Sequence, residues 1–410
     1  MEQVKGRVLI HTLIFPPDQV STSYLYGDIA KALIDQGYEV DVITTYPHYN
    51  YSSNFKEVSK QGFLCRRSNF QGARVFHVKQ KKSKTLIVRG AHIILFHLFF
   101  LLKAIFIRKF DFVLTPSPPL TAGLLSGLVA KLRGAKAIYN VQEIYPDVMI
   151  KQGGLKSVFL LNLLSRIEKW TYESSDKVVT IDNHFSEVIE DRLDKSKLEC
   201  IPNFIDTKLY SPYKGDIPQE LIFDNQFLVG YVGNLGKVQD WEAVIKAAEI
   251  CQSEQNMRFL IVGGGSEFNY LKEQEKRLIN WTVWPYQSRE KIPIINSRIN
   301  LHIISMNAAS DYDGLPSKVF AILSSGKPII AATNSDSPLA RIVKASGNGE
   351  VVKRHSSTAL AEGIQRAQKG HFTEEMSITG RQFVIENYSR EKITSEYAAL
   401  LGRMKSLKDS

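Results

Sequence analysis

The sequence predicts an α/β protein made of two doubly wound, Rossmann-like parallel sheets that face a common cleft. Short apolar runs alternate with helical patterns along both halves of the 410 residues, and a proline-rich break separates the halves. Strands that are apolar on both faces need helical crossovers, so this alternation favours parallel sheets. Ligands of such sheets bind at the carboxyl ends of the strands, which predicts a site between the two halves.

The composition is that of a globular protein with substantial cores. Apolar residues make up 44% of the chain and charged residues 23%, which excludes disordered, collagen-like and disulfide-scaffold classes. The length suits two or three domains. The cysteines, Cys65, Cys200 and Cys251, are far apart and odd in number, so we interpret them as inert thiols in a reducing compartment.

The chain begins with a βαβ pattern. An apolar run predicts a strand over 7–15, and Pro16-Pro17 follows where the cleavage site of a secretory signal would lie, so the run is interpreted as a buried strand. Apolar residues at helical spacing predict a helix over 24–36. Gly37 ends that helix before a strand predicted over 39–44.

The same alternation continues along the chain. In the first half it predicts strands over 111–115, 136–140, 176–181 and 198–201, and helices over 119–133, 157–174 and 184–193. Prolines between 202 and 218 indicate a linker, after which strands are predicted over 226–232, 257–262 and 328–332 and a helix over 240–252. The predicted domains are therefore 1–205 and 206–385, followed by a C-terminal segment, 386–410.

The net charge of +10 is concentrated in the first half. Residues 1–205 contain 27 Lys and Arg against 19 Asp and Glu, whereas residues 206–410 contain 25 against 23. Within 56–110 there are 13 basic residues and one acid, Glu57. Such a block suits a nucleic acid, an anionic membrane or a phosphorylated substrate, or it is a solubilising surface; charge alone does not choose.

An apolar segment over 93–107 lies inside this basic block. It is interrupted by His97 and Lys103 and is shorter than the roughly 20 residues that a membrane span needs. Either it is a buried core helix or it is an interfacial helix with basic flanks. For the second alternative, membrane contact is predicted over 81–109, through Lys81, Lys82, Lys84, Arg89, Lys103, Arg108 and Lys109.

Three glycine-bearing loops follow predicted strands of the second half: Gly230 to Lys237, Gly263-Gly264-Gly265, and Asp313 to Lys318. Glycines at such places let backbone N–H groups approach an anion, although each loop alone is equally well a tight turn. Neither a GxGxxG fingerprint nor a P-loop is present. Together with Lys237 and Lys318, the three loops favour a diphosphate ligand.

The stretch from Asp311 to Ile330, DYDGLPSKVFAILSSGKPII, resembles the signature of retaining GT-B glycosyltransferases of family 4, in the branch that builds bacterial O-antigen and capsule. Further landmarks in the order typical of that family extend the resemblance over nearly the whole chain. They are Phe15-Pro-Pro17, Thr115-Pro-Ser-Pro-Pro119, Gln142-Glu-Ile-Tyr-Pro-Asp147, Glu168-Lys-Trp-Thr-Tyr172, Ser175-Asp-Lys-Val178, Ile201-Pro-Asn-Phe-Ile-Asp206, Val262-Gly-Gly-Gly265 and Arg289-Glu-Lys-Ile-Pro293. The pattern is similar to that of fucosaminyltransferases that act on lipid-linked sugars.

The resemblance implies a GT-B fold, with the last helix, about 389–404, crossing back to the first domain. It also implies a UDP-sugar donor in the second domain. Asp313 matches the acid that contacts the donor sugar, and the phosphate role falls to Lys237 and Lys318. The implied donor-binding residues are Gly233, Asn234, Gly236, Lys237, Gly265, Tyr286, Gly314, Leu315, Pro316, Ser317, Lys318 and Ala321. Trp281, Trp284 and Tyr286 lie where the family binds the nucleotide base, although aromatic residues are more often core.

Ala321 departs from the family pattern. The family has a Glu at this position, whose carboxylate accepts hydrogen bonds from the ribose hydroxyls. Charge-assisted bonds of this kind contribute about 1.5–3 kcal/mol each, so their loss weakens donor binding. Ala321 is thus either an introduced inactivating substitution or a natural divergence.

The acceptor is expected on the first domain. Glu143 is the candidate that orients or deprotonates the acceptor hydroxyl, with a solvated carboxylate at a helix start as the alternative. Asp147 is placed on the same side. The loop after Pro17 lacks the Gly pair of many relatives, so Asp18 and Ser21 are predicted to contact the acceptor. His11 lies within a strand and is interpreted as a core residue.

The resulting hypothesis is a retaining hexosyltransferase that moves an N-acetylated deoxyhexosamine from a UDP-sugar to a polyprenyl-diphosphate-linked glycan. It would lie on the cytoplasmic face of the plasma membrane and use neither cofactor nor metal. The main alternative is a nucleotide-sugar-binding protein with no or impaired turnover because of Ala321. Nucleic-acid binding rests on the basic block alone, and an epimerase of the same fold would have no use for the apolar basic segment.

Overall fold

The computed structural model describes residues 4–48, 55, 59–62, 65–79, 85–151, 157–213, 215, 226–254, 256–312 and 315–409. The chain divides into two compact units. Unit 1 comprises Met1–Asn203 and Ile393–Ser410, and unit 2 comprises Phe204–Lys392.

Unit 1 is built on one mixed sheet. Its strands are β1 Gly6–His11, β2 Tyr38–Thr45, β3 Lys60–Gln61, β4 Cys65–Phe70, β5 Ala73–Val78, β6 Phe112–Pro116, β7 Lys136–Val141, β8 Lys177–Thr180 and β9 Leu198–Cys200. The order across the described residues is β3-β4-β5-β2-β1-β6-β7-β8-β9. The pairs from β5 to β9 in this order are parallel, whereas β3 with β4 and β4 with β5 are antiparallel.

The β4–β5 hairpin was not predicted from the sequence. Its signal is the dipeptide Gln71-Gly72, where both residues have positive φ, 49° and 100°. Two such residues in succession form the tight turn whose twist matches a hairpin. Asn69 adds a side-chain hydrogen bond of 3.0 Å from the Gly72 N–H to its Oδ1.

Helices cover the sheet of unit 1. They are α1 Ser21–Asp35, α2 Leu86–Phe106, α3 Leu120–Arg133, α4 Asp147–Lys151, α5 Val158–Ser174 and α6 Asn183–Ile189. The helix α3 ends at Gly134, which has the left-handed conformation, and Asp182 caps the first turn of α6 through a 2.7 Å bond from the Phe185 N–H. Apolar side chains of α2, including Phe96, Phe99 and Phe100, pack on the sheet as part of its core.

Unit 2 contains a sheet whose described pairs are all parallel. Its strands are β10 Phe227–Asn234, β11 Met257–Gly264, β12 Trp281–Trp284, β13 Leu301–Ser305, β14 Ile329–Thr333 and β15 Gly349–Lys353, in the order β12-β11-β10-β13-β14-β15. Its helices are α7 Trp241–Ile250, α8 Phe268–Glu273, α9 Ile292–Arg298, α10 Lys318–Ser324, α11 Pro338–Ser346, α12 Ser357–Gln368 and α13 Glu374–Tyr388. The last helix, α14 Arg390–Asp409, continues from unit 2 into unit 1, where Lys405 Nζ donates to the carbonyl of Lys5 at 2.7 Å.

The predicted α/β class with two sheets rich in parallel strands is confirmed. The first strand is shorter than predicted, because it ends at His11 and not at residue 15. Thr12 turns the chain there, since its hydroxyl donates to the Ile14 carbonyl at 3.1 Å. In the part of the chain that the structure describes, no helix is long and apolar enough to cross a membrane.

Candidate functional site

The carboxyl ends of β10 and β11 form a narrow edge built from glycines. The two strands run parallel to their last residues, so that Gly233 lies beside Gly263. Their φ values of 147° and 156° favour glycine, and a Cβ on Gly263 would overlap the carbonyl oxygen of Gly233. Because these residues have no side chains, the two strand ends pack closely against each other and leave room for another side chain beside Gly233.

Lys318 reaches this edge from the first turn of α10. Its ammonium donates to the hydroxyl of Tyr231 and lies 3.7 Å from the centroid of the Tyr231 ring. The distance from Lys318 Nζ to a Cβ built on Gly233 would be 3.0 Å. Burial lowers the pKa of Lys318 to about 7. A lysine with a readily lost proton, an aromatic ring and a glycine edge therefore meet at one place.

The loop after β10 is held by its own backbone groups. The Tyr231 hydroxyl donates to the carbonyl of Asn234 at 2.8 Å, and the indole N–H of Trp241 donates to the carbonyl of Gly236 at 3.0 Å. Gly265, with φ of 156°, packs so closely that its Cβ would overlap the carbonyl of Leu235. These predicted donor-binding residues are thus fixed mainly through their main chain.

Most of the remaining predicted donor residues precede Lys318 in the sequence. Lys237 has an exposed side chain, and Leu315, Pro316 and Ser317 lead directly into α10. Asp313 and Gly314 lie outside the described residues, so the position of the predicted catalytic acid is not described.

Ala321 lies in α10, three residues after Lys318, and is only 8% exposed. Residues three apart in a helix share a face, so position 321 lies on the face that carries Lys318. Its carbonyl accepts hydrogen bonds from the N–H and the hydroxyl of Ser325, at 3.1 and 2.9 Å.

Asp311, two residues before Asp313, forms its contacts with other residues of unit 2. Its buried carboxylate accepts a 2.7 Å hydrogen bond from the Thr333 hydroxyl and forms an ion pair with Arg354. Burial of a carboxylate is offset by such partners, so Asp311 fixes the entry to the segment that precedes α10.

The three aromatic residues near β12 separate into core and surface. Trp281 is buried, stacks on Phe259 and donates to the Leu271 carbonyl at 3.1 Å. Trp284 is partly buried against a small apolar cluster. Tyr286 is exposed, and its Cβ would lie 3.8 Å from a Cβ on Gly264 at the end of β11. Of the three, Tyr286 is therefore the one near the glycine edge with an exposed ring.

In unit 1, Glu143 lies just after the carboxyl end of β7. The Ser117 hydroxyl, after β6, accepts from the Glu143 N–H at 3.0 Å and donates to the Glu143 carbonyl at 3.1 Å. The Tyr145 hydroxyl donates to the Glu143 carboxylate at 2.8 Å. Burial, as the larger cause, and the negative charge of Glu143, as the second cause, raise the pKa of the Tyr145 hydroxyl, so this donor stays protonated. Glu143 is thus a partly buried carboxylate with an oriented side chain.

Sequence reasoning missed a polar network beside Glu143. Gln142 and Asn203 exchange two amide hydrogen bonds, of 3.0 and 2.8 Å, and the Tyr26 hydroxyl donates to Asn140 at 2.6 Å. Asn140 and Tyr26 are fully buried. The only sequence signal was the polar run that ends β7, since the partners are about 60 to 114 positions away.

Asp147 takes part in an ion-pair network. Arg192 donates to the Asp147 carboxylate at 2.7 Å and to buried Glu168 at 3.2 Å, and the Tyr172 hydroxyl donates to Glu168 at 2.9 Å. Burial raises the pKa of Glu168 to about 7, against the opposing effect of Arg192. Arg192 and Glu168 were not among the predicted site residues, and their contacts give Asp147 a structural partner.

The other predicted acceptor residues differ in exposure. The Asp18 carboxylate is buried and accepts a 2.7 Å hydrogen bond from the His48 N–H, whereas Ser21 is the exposed first residue of α1. His11 is buried, as predicted: it stacks on Phe100 with ring centroids 3.5 Å apart and pairs with the Ser126 hydroxyl at 2.9 Å. Burial lowers its pKa well below the usual value, so the imidazole is neutral.

Two of the predicted membrane cations contact other residues of unit 1, and their contact with a membrane stays a prediction. Lys103 lies over the Phe76 ring, 4.3 Å from its centroid, and Arg108 forms ion pairs with Asp41 and Glu39. Both cations therefore have partners within unit 1, whereas Lys109 is exposed. Lys81, Lys82 and Lys84 lie outside the described residues, and the side chain of Arg89 is not described.

Comparison with known families assigns both units. Residues 25–209 match the family described as Glycosyltransferase Family 4, and residues 214–383 match Glycosyl transferases group 1. The chain belongs to the GT-B glycosyltransferases. It is 25% identical over 387 residues to the putative colanic acid biosynthesis glycosyl transferase WcaI of Escherichia coli, covering 88% of this chain and 92% of that protein. The probable glycosyltransferase WbjE of Pseudomonas aeruginosa is 22% identical over 71% of this chain and 74% of its own length.

Solved glycosyltransferases share the fold at low identity. The Anabaena protein HepE, in complex with UDP, has a TM-score of 0.72 and 15% identity, covering 97% of this chain and 100% of HepE. Sucrose-phosphate synthase from Thermosynechococcus elongatus also has a TM-score of 0.72 and 15% identity, over 98% of this chain and all of its own. The predicted GT-B fold of this glycosyltransferase is thereby confirmed.

Proposed function

We propose that this glycosyltransferase moves a sugar from a UDP-sugar, with retention, to a polyprenyl-diphosphate-linked glycan in surface polysaccharide assembly. The transferred sugar is an N-acetylated deoxyhexosamine, and the enzyme works at the cytoplasmic face of the plasma membrane. The observation that carries the proposal is the meeting of Lys318, Tyr231 and the glycine edge of β10 in unit 2. WcaI, named for colanic acid biosynthesis, and HepE, solved with UDP and with UDP-glucose, support it.

The reaction needs a group that stabilises the leaving diphosphate. The bond from the anomeric carbon to the β-phosphate oxygen breaks, its electron pair stays on the UDP, and the acceptor oxygen bonds to the same face of that carbon. The acceptor proton passes to the leaving phosphate or to Glu143. The protonated form of Lys318, with backbone N–H groups near Gly233, stabilises the developing negative charge without a metal. Asp313 contacts the donor sugar in this proposal.

The requirement for a metal is tested by chelation. In the described parts of the chain, no group of three or more His, Cys, Asp or Glu side chains is arranged to hold a metal ion. Transfer measured with EDTA and with added Mg²⁺ should be equal. Loss of transfer with EDTA, restored by Mg²⁺, would overturn the metal-independent part of the proposal.

The exposed apolar face of α2 supports the proposal that the enzyme binds a membrane. Ile94, Leu95, Leu98, Leu102, Ile105 and Phe106 are exposed while the opposite face of the helix packs on the sheet. Apolar residues in such number on one surface mark an interaction site. The membrane hypothesis therefore rests on these apolar side chains more than on Lys103 or Arg108.

The second candidate is a nucleotide-sugar-binding protein without effective turnover, and Ala321 favours it. Both candidates are tested by incubating the protein with radiolabelled UDP-N-acetylhexosamines and a polyprenyl-diphosphate-linked sugar. Transfer of label to the lipid supports the enzyme. Binding of the UDP-sugar without transfer to any acceptor supports the second candidate, and neither binding nor transfer would contradict both. Anomeric configuration in the product, read by NMR, tests retention.

A further inference from the structure

We propose that the first part of α5, residues 158–170, is a second lipid-contacting helix, which holds the acceptor side of unit 1 against an anionic bilayer. The inference rests on the proposed function, because it takes the acceptor to be lipid-linked. It adds an element that the sequence interpretation placed among ordinary crossover helices.

An outward stripe of α5 is apolar and aromatic. Phe159, Leu163 and Trp170 are 75%, 40% and 49% exposed, and Arg166 is exposed between them. Their spacing of four, three and four residues places them on one side of the helix. Val158 and Leu160 are also exposed, at 70% and 43%. An aromatic residue and a cation beside apolar side chains are typical of helices that lie in a membrane interface.

The opposite face anchors the helix to unit 1. Glu168, Thr171 and Tyr172 are buried, and Leu161 and Leu164 are partly buried. The helix is therefore held in place by one face, and its exposed apolar stripe is a surface of the folded unit. Monomeric soluble proteins seldom leave contiguous apolar surfaces of this kind uncovered.

The start of α5 projects beyond α3. The Thr171 hydroxyl donates to the carbonyl of Leu120, the first residue of α3, at 3.4 Å, and a Cβ on Gly127 would overlap the Ser174 side chain. The two helices thus run in the same direction. Residues 158–170 then extend about 20 Å past the start of α3.

The helix α2 projects in the same way. His97 pairs with the Thr121 hydroxyl at 2.8 Å, and Arg133 donates to the carbonyls of Ile105 and Ile107. Residues 86–96 therefore extend about 16 Å past the start of α3. Both projecting parts lie toward the edge of the sheet where Ser117 holds Glu143.

The charge of this surface complements an anionic bilayer. Between Glu57 and Glu143 the sequence contains 15 Lys and Arg and one acid, Asp111, whose carboxylate accepts from the Arg7 N–H at 2.9 Å within the unit. Arg166 is exposed on the projecting part of α5, Lys131 is exposed in the last turn of α3, and Lys109 is exposed after the end of α2. Basic residues beside exposed apolar side chains favour anionic lipid over a neutral apolar partner.

Contacts of both projecting helices with the bilayer would fix the depth of the acceptor site. A sugar on polyprenyl diphosphate is held at the level of the lipid headgroups. An acceptor site kept at that level encounters the acceptor hydroxyl more often than a site on a protein that is free in solution. Loss of the α5 contact should therefore raise KM for the lipid-linked acceptor and leave the affinity for the UDP-sugar unchanged.

The test uses the full chain and vesicles of phosphatidylglycerol with phosphatidylcholine. The double variant Phe159→Ser with Leu163→Ser should bind these vesicles about tenfold more weakly, because two apolar side chains no longer enter the interface. The matched control is Ile279→Ser with Ile378→Ser, two residues of unit 2 that are 81% and 64% exposed, and it should bind as the wild type does. Equal unfolding temperatures show that the variants fold.

Trp170 provides a direct readout. Its emission should shift to the blue and be quenched by brominated lipid, and Trp170→Phe should remove that signal. If transfer to the lipid acceptor occurs while Trp170 is not quenched and the double variant binds normally, the inference is overturned and the proposed function stands. Quenching without transfer to any acceptor would instead contradict the proposed function. Protection of Trp170 that depends on protein concentration, without lipid, would identify a second copy as the occupant and overturn the inference.

Discussion

The ammonium of Lys318 lies 3.7 Å from the centroid of the Tyr231 ring and also contacts the Tyr231 hydroxyl, although the two residues are 87 positions apart. The ring face offers an attractive site for a cation, while burial disfavours the charge. Lys318 is thus held in one position next to the glycine edge, where its ammonium can bind an anionic ligand.

Replacement of Lys318 tests its role in transfer. We expect Lys318→Met to lower kcat about 100-fold at a pH below about 7, because the protonated ammonium that stabilises the leaving diphosphate is lost. The measurement is transfer of radiolabelled sugar at saturating donor. Lys246→Met is the control, since Lys246 is an exposed residue of α7 that pairs with Glu242. An unchanged kcat in Lys318→Met would contradict the assignment.

The pH dependence of donor binding follows from the same lysine. Because burial lowers the pKa of Lys318 to about 7, the side chain is charged below that pH and neutral above it. An anionic diphosphate prefers the charged form, so the affinity for a UDP-sugar should fall as the pH rises through about 7. Calorimetric titration across this range measures it. Lys318→Arg keeps its charge and should give a flat profile; the same slope in both proteins would disprove the explanation.

Position 321 tests whether a ribose carboxylate is missing. We expect Ala321→Glu to bind the UDP-sugar about tenfold more tightly, because one or two charge-assisted hydrogen bonds to the ribose become available. Ala321→Gln has the same shape without the charge and should gain less. Equal affinities of the wild type and Ala321→Glu would show that this position does not face the ribose.

Glu143 is tested by an isosteric change. Glu143→Gln should lower kcat about 100-fold, because the amide neither accepts a proton nor carries charge. UDP-sugar affinity should be unchanged, since Glu143 belongs to unit 1. Tyr145→Phe removes the hydroxyl that donates to Glu143 at 2.8 Å and should have a smaller effect on kcat. Normal turnover in Glu143→Gln would contradict the catalytic role and favour the alternative, a solvated carboxylate at a helix start.

The network around Arg192 predicts a change in stability. Arg192→Met should destabilise the protein by about 2 kcal/mol above neutral pH, less than for a permanently charged buried pair, because Glu168 then takes up a proton. The pKa of Glu168 is raised to about 7 in the fold, so below that pH its carboxyl is already protonated and loses little when Arg192 is removed. The loss should therefore grow as the pH rises through about 7. Urea unfolding at several pH values measures it, and a loss independent of pH would contradict this account.

Some features followed from the sequence alone. Apolar runs that alternate with helical patterns specified two sheets, because strands buried on both faces require crossover helices. The glycines at the ends of β10 and β11 were predicted from the sequence as glycine-bearing loops after the strands, and the structure places Gly233 and Gly263 within the strand ends, where residues without a side chain allow close packing. Local chemistry of this kind depends on neighbours in the chain, and the sequence records those neighbours directly.

Other features were decided by the tertiary structure. The contact of Lys103 with the Phe76 ring and the pairing of Asp147 with Arg192 depend on segments distant in the chain. A helix that is apolar on most sides, such as α2, does not reveal from its periodicity which side the sheet covers. The exposed stripe of α5 and the pairing of Lys318 with Tyr231 likewise exist only once the crossovers have set strand order, because that order determines which distant residues meet.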